Sequence, residues 1–143
     1  MKVQTEVIVQ EVKRYVAEDG KVFHNEADCK RHEYLLSRKG LEEKLVKIEC
    51  CKEVEGRTPI DGAEYMDCHE YYWYRPKTRE EADVLEAWYN VCVGICDGEV
   101  GNWLCIEVSD DYALPMPISD SIINVKRLFG SLGYDVTITK KEE

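Results

Sequence analysis

Alternating apolar and polar residues at the start of the chain predict a β-hairpin. Over residues 3–17 valines recur on alternating positions, with a change of phase at Gln10 and Glu11 that is typical of a β-bulge. An Asp-Gly pair at 19–20 favours a tight turn because both residues tolerate positive φ, and Val22 begins the return strand. We therefore expect two antiparallel strands before the first helix.

Three later segments carry apolar residues at helical spacing between typical start and stop residues. Side-chain oxygens at the starts can accept hydrogen bonds from free backbone N–H groups, and glycines at the ends can adopt the left-handed conformation. Thr78 and Glu81 also have the spacing of a capping box. Helices are predicted over residues 26–39 and 79–93, with caps at Asn25 and Thr78 and a stop for the first at Gly40. The third predicted helix is capped by Ser119 or Asp120, carries its apolar residues between positions 122 and 129, and ends at Gly130 and Gly133.

Further strands are predicted where apolar residues alternate or aromatic residues cluster. Proline lacks the N–H that a central strand needs, so Pro115 and Pro117 predict a loop. Residues 53–67 show neither period and predict another, longer loop. The strands are predicted over residues 44–51, 71–74, 103–108 and 136–139.

These elements predict an α+β fold with a mixed, mainly antiparallel sheet and about three helices, in the order β-β-α-β-β-α-β-α-β. A chain of 143 residues is close to the usual size of one domain. We place that single domain at residues 1–139 and treat residues 140–143 as a short charged tail.

The composition of the chain indicates its cellular environment and which classes of partner it disfavours. The chain has 19 basic and 29 acidic residues, and its formal charge of -10 opposes binding to the phosphates of duplex nucleic acid. Seven cysteines, an odd number in a chain of this length, favour reduced thiols and a cytoplasmic location. No apolar run approaches the roughly 20 residues that cross a bilayer, so we expect no membrane partner.

The sharpest local feature is a run of aromatic residues that leads into basic residues where the second helix starts. Helix N-termini attract anions, arginine binds phosphate through a bidentate fork, and aromatic rings stack on bases. The candidate ligand-binding residues are Trp73, Arg75, Lys77, Arg79, Asn102 and Trp103, the last two if the fold brings them close. In the alternative interpretation, the rings face the core and the cations only solvate the opposite face.

Metal binding and catalysis have weaker support. Structural zinc usually takes two cysteine or histidine pairs at tight spacing, and the chain lacks that pattern. Motifs of nucleophilic, phosphate-loop and zinc-protease sites are also absent from the sequence, so we expect no catalytic residue, metal or cofactor. The groups considered as metal ligands are His24, Cys29 and His32, and Cys50, Cys51, Cys68 and His69.

Two parts of the sequence resemble small phage proteins. Residues 14–23, followed by a capped helix with Cys29, His32 and Glu33, resemble the opening of many phage and prophage proteins. The later order of aromatic strand, Thr-capped acidic helix, Gly-Asn-Trp strand and final helix is similar in outline to the Thoeris anti-defence proteins of phages. Those proteins are oligomers that sequester cyclic ADP-ribose-type signals without cleaving them, and some hold cyclic oligonucleotides.

The resemblance implies a non-enzymatic, homo-oligomeric protein that acts in the cytoplasm of an infected bacterium. It would sequester a nucleotide-derived immune signal, either a cyclic ADP-ribose isomer or a cyclic oligonucleotide. The alternative is an acidic, anti-CRISPR-like inhibitor that binds a host defence nuclease through its negative charge, with local clusters at 42–43, 80–81 and 110–111. The two hypotheses differ in partner, because the first requires a small molecule and the second a protein.

Overall fold

The computed structural model describes residues 1–59 and 69–142, and within them it has six strands and three α-helices. The predicted α+β fold class is confirmed, and every strand pair is antiparallel. The elements are β1 Tyr15–Val16, β2 Val22–Phe23, α1 Glu26–Leu45, β3 Glu49–Cys50, β4 Glu70–Arg75, α2 Arg79–Tyr89, β5 Leu104–Val108, β6 Ala113–Pro117 and α3 Ile118–Ser131. β1 and β2 form one sheet, and the second sheet has the order β3-β4-β5-β6.

The chain divides into two compact units, Met1–Gly40 and Leu41–Glu143. In the first unit, the β1–β2 hairpin turns at Gly20, whose φ of 88° only glycine adopts without strain. A hydrogen bond of 2.8 Å joins His32 of α1 to Asp19 of this turn, and it lowers the pKa of Asp19. These contacts hold the hairpin to the first turns of α1, while the prediction of one domain over residues 1–139 stays a prediction.

Two predicted boundaries in the first half of the chain are wrong. The first strand pairs only at Tyr15–Val16, because β2 ends at Phe23 and α1 begins soon afterwards. α1 does not stop at Gly40 but continues to Leu45. The residues after Gly40 are strong helix formers, and a glycine inside a helix costs only about 1 kcal/mol. β3 is shortened as a result.

The four-stranded sheet in the second unit has two apolar faces. Alternating residues of β4 and β5, among them Tyr74 and Ile106, pack against Ala82 and Leu85 of α2 and form the larger core. The opposite face carries a smaller cluster of Tyr71, Trp73 and Cys105, with Met116 and Ile118 packed against it. The rings of β4 are therefore divided between both cores.

The described elements end β-β-α, whereas the predicted order ended β-α-β. Pro115 and Pro117 lie in strand β6 and not in a loop, opposite Ile106 and Leu104 of β5. In an antiparallel pair of strands, hydrogen-bonded residue pairs alternate with pairs that are not hydrogen-bonded. The pair next to Pro117 is hydrogen-bonded, because the N–H of Ile118 donates to the carbonyl of Trp103 at 3.0 Å. The nitrogens of both prolines therefore face away from β5, where no donor is needed. The predicted strand at 136–139 is wrong, because the structure describes these residues and they form neither a helix nor a strand.

Helix ends in the second unit also shift. α2 stops at Tyr89 and not at Val93, because Asn90 adopts the left-handed conformation with φ 50° and ends the helix. α3 begins directly after Pro117, so neither Ser119 nor Asp120 serves as its cap. The predicted loop over residues 53–67 contains a 3-10 turn at Lys52–Val54, and its part from residue 60 onward lies outside the described residues.

Candidate ligand-binding surface

Trp73, the central aromatic candidate, is a core residue. Its side chain is 9% exposed in the cluster with Tyr71 and Cys105, and its indole N–H donates to the carbonyl of Arg57 at 3.1 Å. Tyr71 and Tyr74 are buried as well. The rings of β4 thus occupy the two cores, and the prediction that Trp73 stacks openly on a base is not supported by its burial.

Arg75 and Trp103 lie close together, a proximity that the sequence had left open. The guanidinium carbon of Arg75 lies 5.4 Å from the centroid of the Trp103 ring, and Arg75 also makes a bidentate contact with Glu49 at 2.6 and 2.8 Å. The Nζ atom of Lys77 lies 3.8 Å from the same carboxylate. We call Glu49, Arg75, Lys77 and Trp103 the Arg75 cluster.

The loop that precedes β5 lies next to the Arg75 cluster. The N–H of Gly101 donates to the carbonyl of Pro76 at 2.7 Å, which holds the 101–103 segment beside the end of β4. Asn102 is exposed and lines a cavity of about 260 Å³. The other residues that line it are Gly98, Glu99, Pro117, Ile118, Ser119 and Ile122.

Arg79 makes different contacts. Its guanidinium binds Asp83 at 2.8 Å and Glu86 at 2.6 Å, and it also reaches Asp97 and the carbonyl of Ile95. These carboxylates raise the pKa of Arg79 further above its usual value. The structure therefore gives Arg79 the role of tying α2 to the loop after it, and its donors already have acceptors within this chain.

The N-terminus of α2 is closed by its own side chains. The hydroxyl oxygen of Thr78 accepts from the N–H of Glu81 at 3.2 Å, and the carboxylate of Glu81 accepts from the N–H of Lys77 at 2.7 Å. The hydroxyl contact is one half of the capping box that the sequence predicted, but Glu81 binds the N–H of Lys77, the residue before the N-cap, in place of the N–H of Thr78. Because a carboxylate already occupies this positive end of the helix, the predicted anion site at the start of α2 is partly filled.

A polar cluster near the start of β4 escaped the sequence analysis. His69 Nδ1 lies 2.5 Å from Glu107, and the hydroxyl of Tyr112 donates to the same carboxylate at 3.2 Å. The sequence could have indicated the position of His69, because residues two apart in a strand lie on the same face, and this places His69 beside Tyr71. His69, considered before as a metal ligand, is instead hydrogen-bonded to a carboxylate.

This end of the sheet also borders an open cavity of about 460 Å³. Two carboxylates lie in its wall, and the hydroxyl of Tyr72 donates to one of them, Glu70, which raises the pKa of Tyr72 to about 12. Such a lining favours a cationic group over an anion. The described residues that line the cavity are Glu55, Gly56, His69, Glu70, Tyr71 and Tyr72.

Metal ligands do not assemble in the described part of the chain. No group of three or more His, Cys, Asp or Glu side chains lies close enough to hold an ion within residues 1–59 and 69–142. Cys68, which belonged to one predicted group, lies outside the described residues. Over the same residues, no helix has the length and apolar character that crossing a membrane requires.

The described cysteines divide by exposure, and this predicts their reactivity. Burial and the nearby Glu107 raise the pKa of Cys105 to about 12, while Cys50, Cys92 and Cys96 are exposed. Because the thiolate is the reactive form, alkylation of the native protein at pH 8 should modify the three exposed thiols quickly and Cys105 only after unfolding. Peptide mass mapping after timed alkylation measures this order. Fast alkylation of Cys105 in folded protein would contradict the burial of the second core.

Comparison with protein-family models, characterised proteins and solved structures finds no match to this chain. The resemblance to Thoeris anti-defence proteins therefore stays a prediction from the sequence. The function proposed below therefore depends on the geometry of the Arg75 cluster.

Proposed function

We propose that this protein binds a nucleotide-derived anion without catalysis, and that the Arg75 cluster is the binding surface. The observation that supports this proposal is the position of Arg75, whose guanidinium lies over the Trp103 ring next to a second cation, Lys77. The class of ligand comes from the resemblance in outline to phage proteins that sequester cyclic ADP-ribose isomers or cyclic oligonucleotides. The biological role would be to lower the free concentration of such a signal.

The Glu49 carboxylate indicates how an anion would bind. It occupies two donors of Arg75 with the bidentate geometry that a phosphate also adopts. Trp103 and Glu49 together hold Arg75 in one orientation before any ligand arrives, which reduces the ordering cost of binding. A phosphate would replace Glu49 on Arg75 and gain Lys77, whose side chain is 64% exposed.

If Glu49 competes with the ligand for Arg75, substitutions of Lys77 and Glu49 should change the ligand affinity in opposite directions. Lys77→Ala should weaken binding by about tenfold, because a hydrogen bond from an exposed charged group lies at the lower end of the usual range, about 1.5 kcal/mol, and about 1.4 kcal/mol is a factor of ten. Glu49→Gln should strengthen it several-fold, because the competing charge is removed while an amide oxygen remains for Arg75. Isothermal titration calorimetry with cyclic ADP-ribose isomers and cyclic oligonucleotides measures both changes.

The matched control is Lys126→Ala, which removes one exposed lysine from α3 and should leave the affinity unchanged. Weaker binding in Glu49→Gln would contradict the proposed exchange of phosphate for carboxylate. No binding of any of these ligands by the wild-type protein would exclude the proposal itself. Mass spectrometry of molecules that co-purify with the protein separates it from the protein-directed inhibitor, which would carry no retained nucleotide.

A further inference from the structure

The cavity of about 260 Å³ beside the Arg75 cluster has two polar side chains in its wall, the carboxylate of Glu99 and the amide of Asn102. Glu99 is half-buried, yet its carboxylate makes no hydrogen bond or ion pair within residues 1–59 and 69–142. The side-chain amide of Asn102 makes none there either. Because burial removes part of the hydration of a carboxylate, this wall favours a ligand that donates hydrogen bonds to it.

The backbone of the loop before β5 holds these two residues in one turn. The N–H of Glu99 donates to the carbonyl of Cys96 at 2.9 Å, and the N–H of Asn102 donates to the carbonyl of Glu99 at 3.1 Å. Gly101 has a φ of 93°, which glycine adopts without strain. The backbone positions of both residues are therefore fixed before a ligand arrives, and this reduces the ordering cost of binding.

The size and the apolar part of the cavity fit one planar base. Pockets for drug-sized molecules usually span roughly 300–1,000 Å³, so a cavity of about 260 Å³ suits a nucleobase better than a whole nucleotide. Pro117, Ile118 and Ile122 supply the carbon surface of the wall. Proteins that bind a free base commonly cover its faces with such apolar side chains and form hydrogen bonds to its edge.

We propose that this cavity binds a guanine base, so that the ligand of the Arg75 cluster is a guanine nucleotide. The inference rests on the proposed function, because the phosphate of the same nucleotide would bind Arg75. The cavity adjoins the cluster through Trp103, which directly follows Asn102 and whose carbonyl accepts from the N–H of Ile118 at 3.0 Å. A cyclic oligonucleotide that contains guanine fits this site, whereas the base of a cyclic ADP-ribose isomer is adenine.

The hydrogen-bonding edge of guanine matches the two side chains. Guanine presents two neighbouring donors, N1–H and the N2 amine, to the two oxygens of the Glu99 carboxylate, and its O6 accepts from the amide of Asn102. Adenine has an acceptor at N1, so its lone pair would face the carboxylate. Because a hydrogen bond to a charged group changes affinity by about tenfold or more, the site should discriminate between the two bases.

NMR titrations of the wild-type protein with GMP, IMP and AMP test this discrimination. GMP should bind at least about tenfold more tightly than AMP. IMP lacks only the N2 amine of GMP, so it should bind with intermediate affinity. Cyclic di-GMP and cyclic di-AMP provide the same comparison between two cyclic oligonucleotides. Equal affinities for GMP and AMP, or tighter binding of AMP, overturn the proposal.

Substitutions in the cavity wall test the assigned contacts. Glu99→Gln should reduce the preference for GMP over AMP to about twofold or less, because an amide offers one acceptor and one donor to the two donors of guanine. Asn102→Ala should weaken GMP binding by several-fold, because O6 loses its donor. Neither substitution removes a side-chain hydrogen bond of the described chain, so both variants should fold. A GMP preference that survives Glu99→Gln overturns the assignment.

Asp110→Asn is the matched control, because it neutralises an exposed carboxylate outside the cavity and should leave the preference for GMP unchanged. The same titrations with Lys77→Ala separate the inference from the proposed function. If Lys77→Ala weakens both nucleotides and the wild type binds them equally, the Arg75 cluster binds phosphate and the base assignment is wrong. If the wild type prefers GMP and Lys77→Ala has no effect, the cavity binds guanine and the phosphate lies elsewhere.

Discussion

Replacing Trp73 with alanine is expected to lower the free energy of unfolding by about 3–5 kcal/mol, the usual cost of removing a buried tryptophan side chain. The ring fills the second core with Tyr71 and Cys105, and alanine would leave a cavity beneath the sheet. The carbonyl of Arg57 would also lose its indole donor. Urea denaturation followed by circular dichroism measures the change.

Two comparisons decide whether Trp73 stabilises the core or serves a ligand. Trp73→Phe keeps most of the apolar volume and removes the hydrogen bond, so it should cost about 1–2 kcal/mol. Tyr134→Ala removes an exposed ring from the C-terminal region and should change stability by less than about 0.5 kcal/mol. A Trp73→Ala protein of normal stability that has lost ligand binding would show that the ring is a binding element after all.

Replacing Glu86 with alanine should lower the free energy of unfolding by about 2–3 kcal/mol. One oxygen of Glu86 accepts from the N–H of Ile95 at 2.7 Å and from Arg79 at 2.6 Å. Ile95 is buried in the larger core, so its N–H would lose its acceptor in a poorly hydrated place. Chemical denaturation measures this loss.

Neighbouring variants separate the hydrogen bond from general charge effects. Glu86→Gln retains a carbonyl oxygen for Ile95 and should cost about half as much as alanine. Glu80→Ala removes an exposed carboxylate from the same helix and should change stability by less than about 0.5 kcal/mol. Equal effects of Glu80→Ala and Glu86→Ala would contradict a specific role for the contact between α2 and Ile95.

Local signals in the sequence were sufficient for much of the fold. The N-cap at Thr78, the turn at Gly20 and the strand β5 each depend on residues close in the chain. The predicted boundaries of helices and strands were wrong where contacts between residues distant in the chain determine them. Pro115 and Pro117 enter β6 because their nitrogens face away from β5, and no short window of sequence contains that orientation.

The candidate site shows the same division. Residue types identified Arg75, Lys77 and Trp103 as candidates for binding a nucleotide, and the fold places Trp103 against Arg75 and Lys77 near the carboxylate that Arg75 binds. Their partners could not be read from the sequence, because Glu49 is 26 positions from Arg75 and meets it only through strand pairing. Arg79 likewise turns toward Glu86 and Asp97 because α2 and its following loop pack side by side.

By itself the sequence determined the α+β class, the opening turn, the capped second helix and the acidic character of this chain, since these follow from composition and short-range periodicity. Only the tertiary structure decided which rings are buried, which cations already have counterions and where β6 pairs. These properties depend on strands that meet across many intervening residues. Strand pairing between distant segments determines which side chains are buried and which charges are paired, and the local sequence pattern carries no information about it.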